Sequence, residues 1–166
     1  INNMLLVLKN KETLNLDSFS FKCCVGKKGL NKFKKEGDGT TPIGTFGLGN
    51  IYYRSDRVSK PITKFNCIKI KKNMGWCDDP NSKFYNKLID IKSSANKEKM
   101  YRKDTMYDYL LVINYNRKKI VKNKGSAIFL HLTKNFKGTA GCIGVSQKDF
   151  LIIAKLLKKK SKIKIS

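Results

Sequence analysis

One thiol and one imidazole in this sequence are spaced for nucleophilic chemistry. Cys142 ends the stretch Gly138-Thr139-Ala140-Gly141-Cys142, and an apolar run at 143–145 follows. Small residues before a cysteine let the backbone turn sharply and let a substrate come close. The N–H groups around Gly141 and Cys142 are then expected to face an oxyanion. His131 is the only histidine, eleven residues upstream, at the end of an apolar segment in register with Phe129 and Ala127. A cysteine attacks as thiolate, and a neighbouring imidazole can take its proton and lower the thiol pKa. The rival reading is a hydrogen-bonded core histidine beside a buried, inert thiol. Spacing alone does not separate the two.

Two irregular stretches could serve such a site, since long loops inside a compact domain are often functional. Residues 34–44 (KKEGDGTTPIG) are rich in glycine, and residues 74–86 (MGWCDDPNSKFYN) hold Trp76 and the pair Asp78 and Asp79. One aspartate is expected to shape an Asx turn and the other to meet a substrate ammonium, with Trp76 as a wall. Tyr85 and Asn86 either pack beneath this loop or donate to substrate amides. Asp38 and Thr41 are expected to set turns. Gly37 and Gly39 do not make a phosphate loop, because no GK[ST] follows.

Short strands separated by turn clusters must position these groups. Segments 4–9, 19–25, 46–53, 66–72, 107–115 and 127–132 read as strands, and 162–166 as a closing one. Segment 107–115 is nearly all apolar, which predicts a central strand covered on both faces. One helix is expected near the end. Ser146 and Asp149 form a capping box, and Phe150, Ile153, Ala154 and Leu157 make one apolar face. The lysines at 158–160 suit its C-terminal end. The chain therefore reads as one mainly β domain over residues 1–166.

Composition sets the outer bounds. The chain has 166 residues, 40% hydrophobic, enough for a core and too many for disorder. No apolar run reaches the length of a membrane span. The net charge is +24 from 36 basic and 12 acidic residues, nearly all of the basic ones lysine. Such a field gathers polyanions, yet phosphate readers favour arginine, so compositional drift toward lysine is the preferred reading. No helix-turn-helix, stacking-aromatic or zinc-finger pattern supports specific nucleic-acid binding. The five cysteines (Cys23, Cys24, Cys67, Cys77, Cys142) include no CxxC, so no metal site is expected. Cys23, Cys67 and Cys77 are expected to be buried small hydrophobes. No signal peptide is visible.

The segments IFLHL at 128–132 and GTAGCIGV at 138–145 together resemble the catalytic signature of the L,D-transpeptidase (YkuD-like) family. So do EGDGTTPIGTF at 36–46, GWCDDPNSKFYNKL at 75–88 and MYDYLLVINYN at 106–116, which resemble marks of one divergent subgroup. Many members carry a histidine at the place of Ala140 and an arginine at that of Gly144. The resemblance implies a twisted, sandwich-like β fold with one C-terminal helix and long active-site loops. It implies Cys142 as nucleophile, His131 as acid–base and Gly141 beside the oxyanion. Trp76, Asp78, Asp79, Asn86 and Thr139 would contact substrate, and a backbone carbonyl would orient the imidazole. The implied reaction is acyl transfer on peptidoglycan stem peptides, with no cofactor and no metal, by a monomer in the periplasm or cell envelope. The basic surface would favour anionic wall or membrane. The alternatives are an L,D-carboxypeptidase, in which water resolves the thioester, a basic polyanion-binding module, and a catalytically dead wall-binding domain.

Overall fold

A computed structural model describes residues 4–166. Fourteen strands and one helix are present among them. Strands β1 (Leu5–Lys9), β2 (Thr13–Leu16) and β3 (Phe19–Cys24) form an antiparallel meander. β3 passes to β13 (Ile143–Val145), then β12 (Phe129–Leu132), then β11 (Tyr109–Ile113). On the other side, β1 pairs in parallel with β14 (Lys162–Ile165), which pairs with the ten-residue β6 (Gly44–Tyr53). β6 also pairs with β11, so the large sheet curls over and closes on itself, barrel-like. Closure leaves fewer unpaired edges than two open layers would.

Alternation explains the interior. Leu6, Leu8, Leu14, Leu16, Ile163 and Ile165 project to one side and fill the main core. β11 and β12 differ, because they are covered on both faces. Leu111, Ile113, Leu130 and Leu132 join the main core, while Leu110, Val112 and Phe129 join a second cluster around Trp76 and Met100. The unbroken apolar run of β11 is the sequence trace of this double coverage. Burying each such side chain contributes about 1.5–3 kcal/mol.

Helix α1 (Gln147–Leu156) begins as expected, with Ser146 accepting from the Asp149 amide, and buries Phe150, Ile153 and Ala154. Segment 74–86 departs from expectation. It opens with strand β8 (Met74–Cys77), the centre of a small sheet with β9 (Leu88–Asp90) and β10 (Lys97–Lys99). A four-residue strand holding Gly75 and paired on both edges shows little periodicity, so the sequence pattern gave no sign of it. This small sheet covers the second face of β11 and β12, where the candidate site lies.

Candidate active site

The parallel pairing of β12 with β13 brings the thiol and the imidazole together. Leu130 pairs with Ile143 and His131 with Gly144. One step back along both strands, Phe129 lies opposite Cys142. Side chains two apart share a face, so Cys142 and His131 are diagonal neighbours on the second face. Both line a cleft of about 340 Å³, together with Lys34, Glu36, Asp78, Glu98, Tyr107 and Thr139 among others.

The turn before Cys142 is pinned from two directions. Thr139 Oγ1 donates to the Cys142 carbonyl at 2.6 Å and accepts from the Gly141 N–H at 3.0 Å. Thr41 Oγ1 donates to the Gly141 carbonyl at 2.8 Å and accepts from the Gly26 N–H. Gly141 itself sits at φ 154°, and a Cβ there would come within 2.8 Å of the Thr40 carbonyl oxygen. Only glycine fits. Thr139 and Thr41 therefore hold the backbone of the turn. The expectation that the Gly141 N–H faces an oxyanion is corrected, because Thr139 occupies it. Cys142 supplies the next amide along.

The imidazole is fixed by a backbone carbonyl, with Nδ1 at 2.9 Å from the Leu132 oxygen. Nδ1 is then the protonated nitrogen, which leaves Nε2 able to accept a proton. The Tyr107 ring lies beside it, 5.6 Å between centroids. The Cys142 thiol donates to the Ala127 carbonyl at 3.1 Å and accepts from the Phe129 N–H at 3.4 Å. Burial pushes the thiol up to about 12 and the imidazole down to about 4. Burial therefore favours the neutral form of each group, against the ionised thiol that the sequence reading expects. The cause in both is desolvation, which penalises the charged form of each group.

The carboxylates sort into three roles. Asp38 accepts from the Lys35 and Thr40 amides, from Thr40 Oγ1 and from Lys34 Nζ, and these donors hold it well below the usual carboxylate range despite the opposing effect of desolvation. Asp79 accepts from the Asn81 amide and closes a turn. It does not line the cleft. Asp78 does, and burial, with Glu36 and Glu98 nearby, raises its pKa. Glu36 accepts from Tyr85 Oη and Ser126 Oγ, while Glu98 accepts from Tyr107 Oη and Arg102.

Trp76, expected as a substrate wall, is structural instead, and of the two readings of Asn86 the structure shows the packing one. Trp76 is 1% exposed, and its Nε1 donates to Asn86 Oδ1 at 2.8 Å. Asn86 is 2% exposed. It also accepts from the Ala127 amide and donates to the Tyr115 and Asn116 carbonyls. The pair ties the small sheet to the strand that carries His131. An indole beside an aspartate pair suggests a binding wall from sequence, but burial decides otherwise. Lys34, Glu36 and Glu98 are cleft residues that the sequence did not single out. Segment 34–44 is expected to serve the site, yet residue type and spacing do not mark Lys34 or Glu36 within it, and Glu98 lies outside both expected stretches.

Gly144, where the resemblance leads one to expect an arginine, has no room for a side chain. A Cβ there would lie 2.8 Å from Cys24 Sγ and 3.1 Å from Thr133 Cβ. No arginine fits while those neighbours stand.

The sequence matches the L,D-transpeptidase catalytic domain (YkuD) over residues 2–165. The chain belongs to that family. Among solved structures, it is similar to the helical cell shape determining protein Pgp2 from Campylobacter jejuni. The identity is 15% and the TM-score 0.54, over 99% of this chain and 47% of that one. A further likeness is to Mycobacterium tuberculosis L,D-transpeptidase 1, at 12% identity and TM-score 0.47, over 98% of this chain and 58% of that one. The chain thus spans about half the length of these structures. No curated protein matches. The first likeness supports the mainly β fold.

Proposed function

We propose that the chain is a cysteine acyltransferase acting on peptidoglycan stem peptides, passing the acyl group to an amine of a second stem. The observation that carries this reading is the shared cleft of Cys142 and His131, set diagonally on neighbouring parallel strands. The neutral resting pair fits general-base catalysis. As Cys142 Sγ bonds to the carbonyl carbon, its proton leaves the Ala127 carbonyl and passes to His131 Nε2, and the carbonyl electron pair moves onto oxygen. The Cys142 N–H, next along from the amide that Thr139 holds, would meet that oxygen. The imidazolium then returns the proton to the departing amine, leaving a thioester. The Leu132 carbonyl keeps the ring in the required tautomer throughout.

Asp78, with Glu36 and Glu98, gives the cleft a negative wall inside a protein of net charge +24. That wall suits an ammonium group on the donor stem or on the incoming amine. A cationic exterior would favour the anionic polymers of a cell envelope, the proposed place of work, where the chain would act as a monomer. The test is incubation with purified muropeptides and analysis of products by mass. Cross-linked dimers support amine transfer. Shortened stems alone would replace it with hydrolysis. A carbapenem adduct on Cys142, lost in Cys142→Ala, reports a live nucleophile, and its absence together with no product would end the enzyme reading.

A further inference from the structure

The charge inside the cleft opposes the chemistry proposed for it. Glu36, Asp78 and Glu98 line the same space as Cys142, and each disfavours negative charge on the sulfur or on an oxygen beside it. Among the described lining residues, Lys34 is the one lysine or arginine.

Lys34 is an unusual lysine in this chain. It is 4% exposed, while most of the other lysines face solvent. Its stem packs tightly against Gly125, and its ammonium lies beside Gly141. A Cβ on Gly125 would approach Lys34 Cε to 2.9 Å, and one on Gly141 would approach Nζ to 3.4 Å. One Nζ–H is given to Asp38 Oδ1 at 2.8 Å, and a long contact of 3.4 Å reaches the Lys35 carbonyl. Asp38 is itself held by the Lys35 amide, the Thr40 amide and the Thr40 hydroxyl. The counter-ion is therefore anchored, and it fixes the ammonium next to the turn that carries the nucleophile. An ammonium has three donors, so one remains for the cleft.

We infer that Lys34 is an electrostatic residue of the reaction, whose ammonium offsets the negative charge that builds on Cys142 Sγ and the substrate carbonyl oxygen during attack. The inference rests on the acyl-transfer reading and deepens it. Lys34 gives up no proton. The thiol proton goes to His131, and the lysine supplies charge at a fixed place, where preorganised charge is worth most. Asp38 acts through Lys34 as a positioning residue.

The test compares the parent protein with Lys34→Met, which keeps the unbranched stem to within one heavy atom and removes its charge. Single-turnover acylation of Cys142 by a synthetic stem peptide is followed by intact mass. The expected loss in Lys34→Met is about 100-fold in rate, the scale of one lost oxyanion donor, with little change in half-saturating peptide. Lys34→Ala with added ethylammonium should regain at least part of that loss, which a purely structural role would not allow. If Lys34→Met folds poorly because Asp38 is orphaned, Lys34→Met with Asp38→Asn removes both charges and should show the same loss. Acylation within about threefold of the parent in either folded variant overturns the inference and leaves the parent reading intact. A loss seen with a free C-terminal carboxylate but not with the amidated peptide also overturns it, because Lys34 would then bind substrate carboxylate. A parent protein that forms no adduct with any peptide or carbapenem defeats both.

Discussion

Slow alkylation of Cys142 is the sharpest consequence of its burial. With the thiol at about 12, roughly one molecule in 10⁵ carries a thiolate at pH 7. A free cysteine near 8.5 carries about 3%. The ratio is about 3,000-fold. The more basic thiolate is also the better nucleophile, by roughly 30- to 60-fold for a Brønsted slope of 0.4–0.5. The net expectation is iodoacetamide labelling about two orders of magnitude slower than a free thiol, before any steric hindrance. The rate should climb about tenfold per pH unit from 6 to 10 without a plateau. Peptide mass spectrometry resolves Cys142 from the other four cysteines. His131→Ala should leave this profile unchanged while abolishing acylation. A plateau with a midpoint below about pH 8 would show a preformed thiolate–imidazolium pair and refute the neutral resting state.

Other expectations follow from single contacts. Gly141→Ala should cost acylation at least tenfold and lower the melting temperature, since the Thr40 carbonyl blocks the new methyl. Asn86→Ala leaves the Trp76 N–H and the Ala127 amide without their acceptor, so chemical denaturation should show a loss of about 2–4 kcal/mol. A neutral change there would refute its bracing role. Asp78→Asn should impair use of the amine acceptor more than carbapenem acylation, and equal loss in both assays would make the loop structural. His131 is held neutral, at about 4 against an ordinary 6.5. Its contribution is full above 6.5 and is lost as pH falls toward 4, by about 3 kcal/mol. Denaturation curves of the parent should show this component between those limits, and His131→Gln should lack it.

The sequence showed most of the strands because their apolar residues alternate, and the helix because Ser146 and Asp149 mark its start. The site was legible at Cys142 and His131, where rare residue types stand near one another in the chain. Its remainder was hidden for two reasons. Lys34 and Glu36 stand in a stretch expected to serve the site, but lysines are too numerous here for one to stand out, and Glu98 reaches the cleft through the pairing of β10 with β8. Trp76 looked like a binding wall, and Asn86 was open between packing and binding, because polar and aromatic types on a loop suggest contact with solvent. The short strand β8 and its hydrogen bonds place them inside instead. The Gly141 amide was misread for a related reason. A glycine signals that a tight backbone path exists, but the partner that consumes its N–H comes from Thr139, two residues away.

Keeping the sulfur protonated has a consequence for durability. Peroxide and disulfide reagents consume thiolates, so a group that surrenders its proton only when a carbonyl arrives offers them little to attack. Under the proposed function, the same burial that slows adventitious labelling would let the thiol persist among oxidants without a dedicated reductant, its reactivity summoned by the substrate.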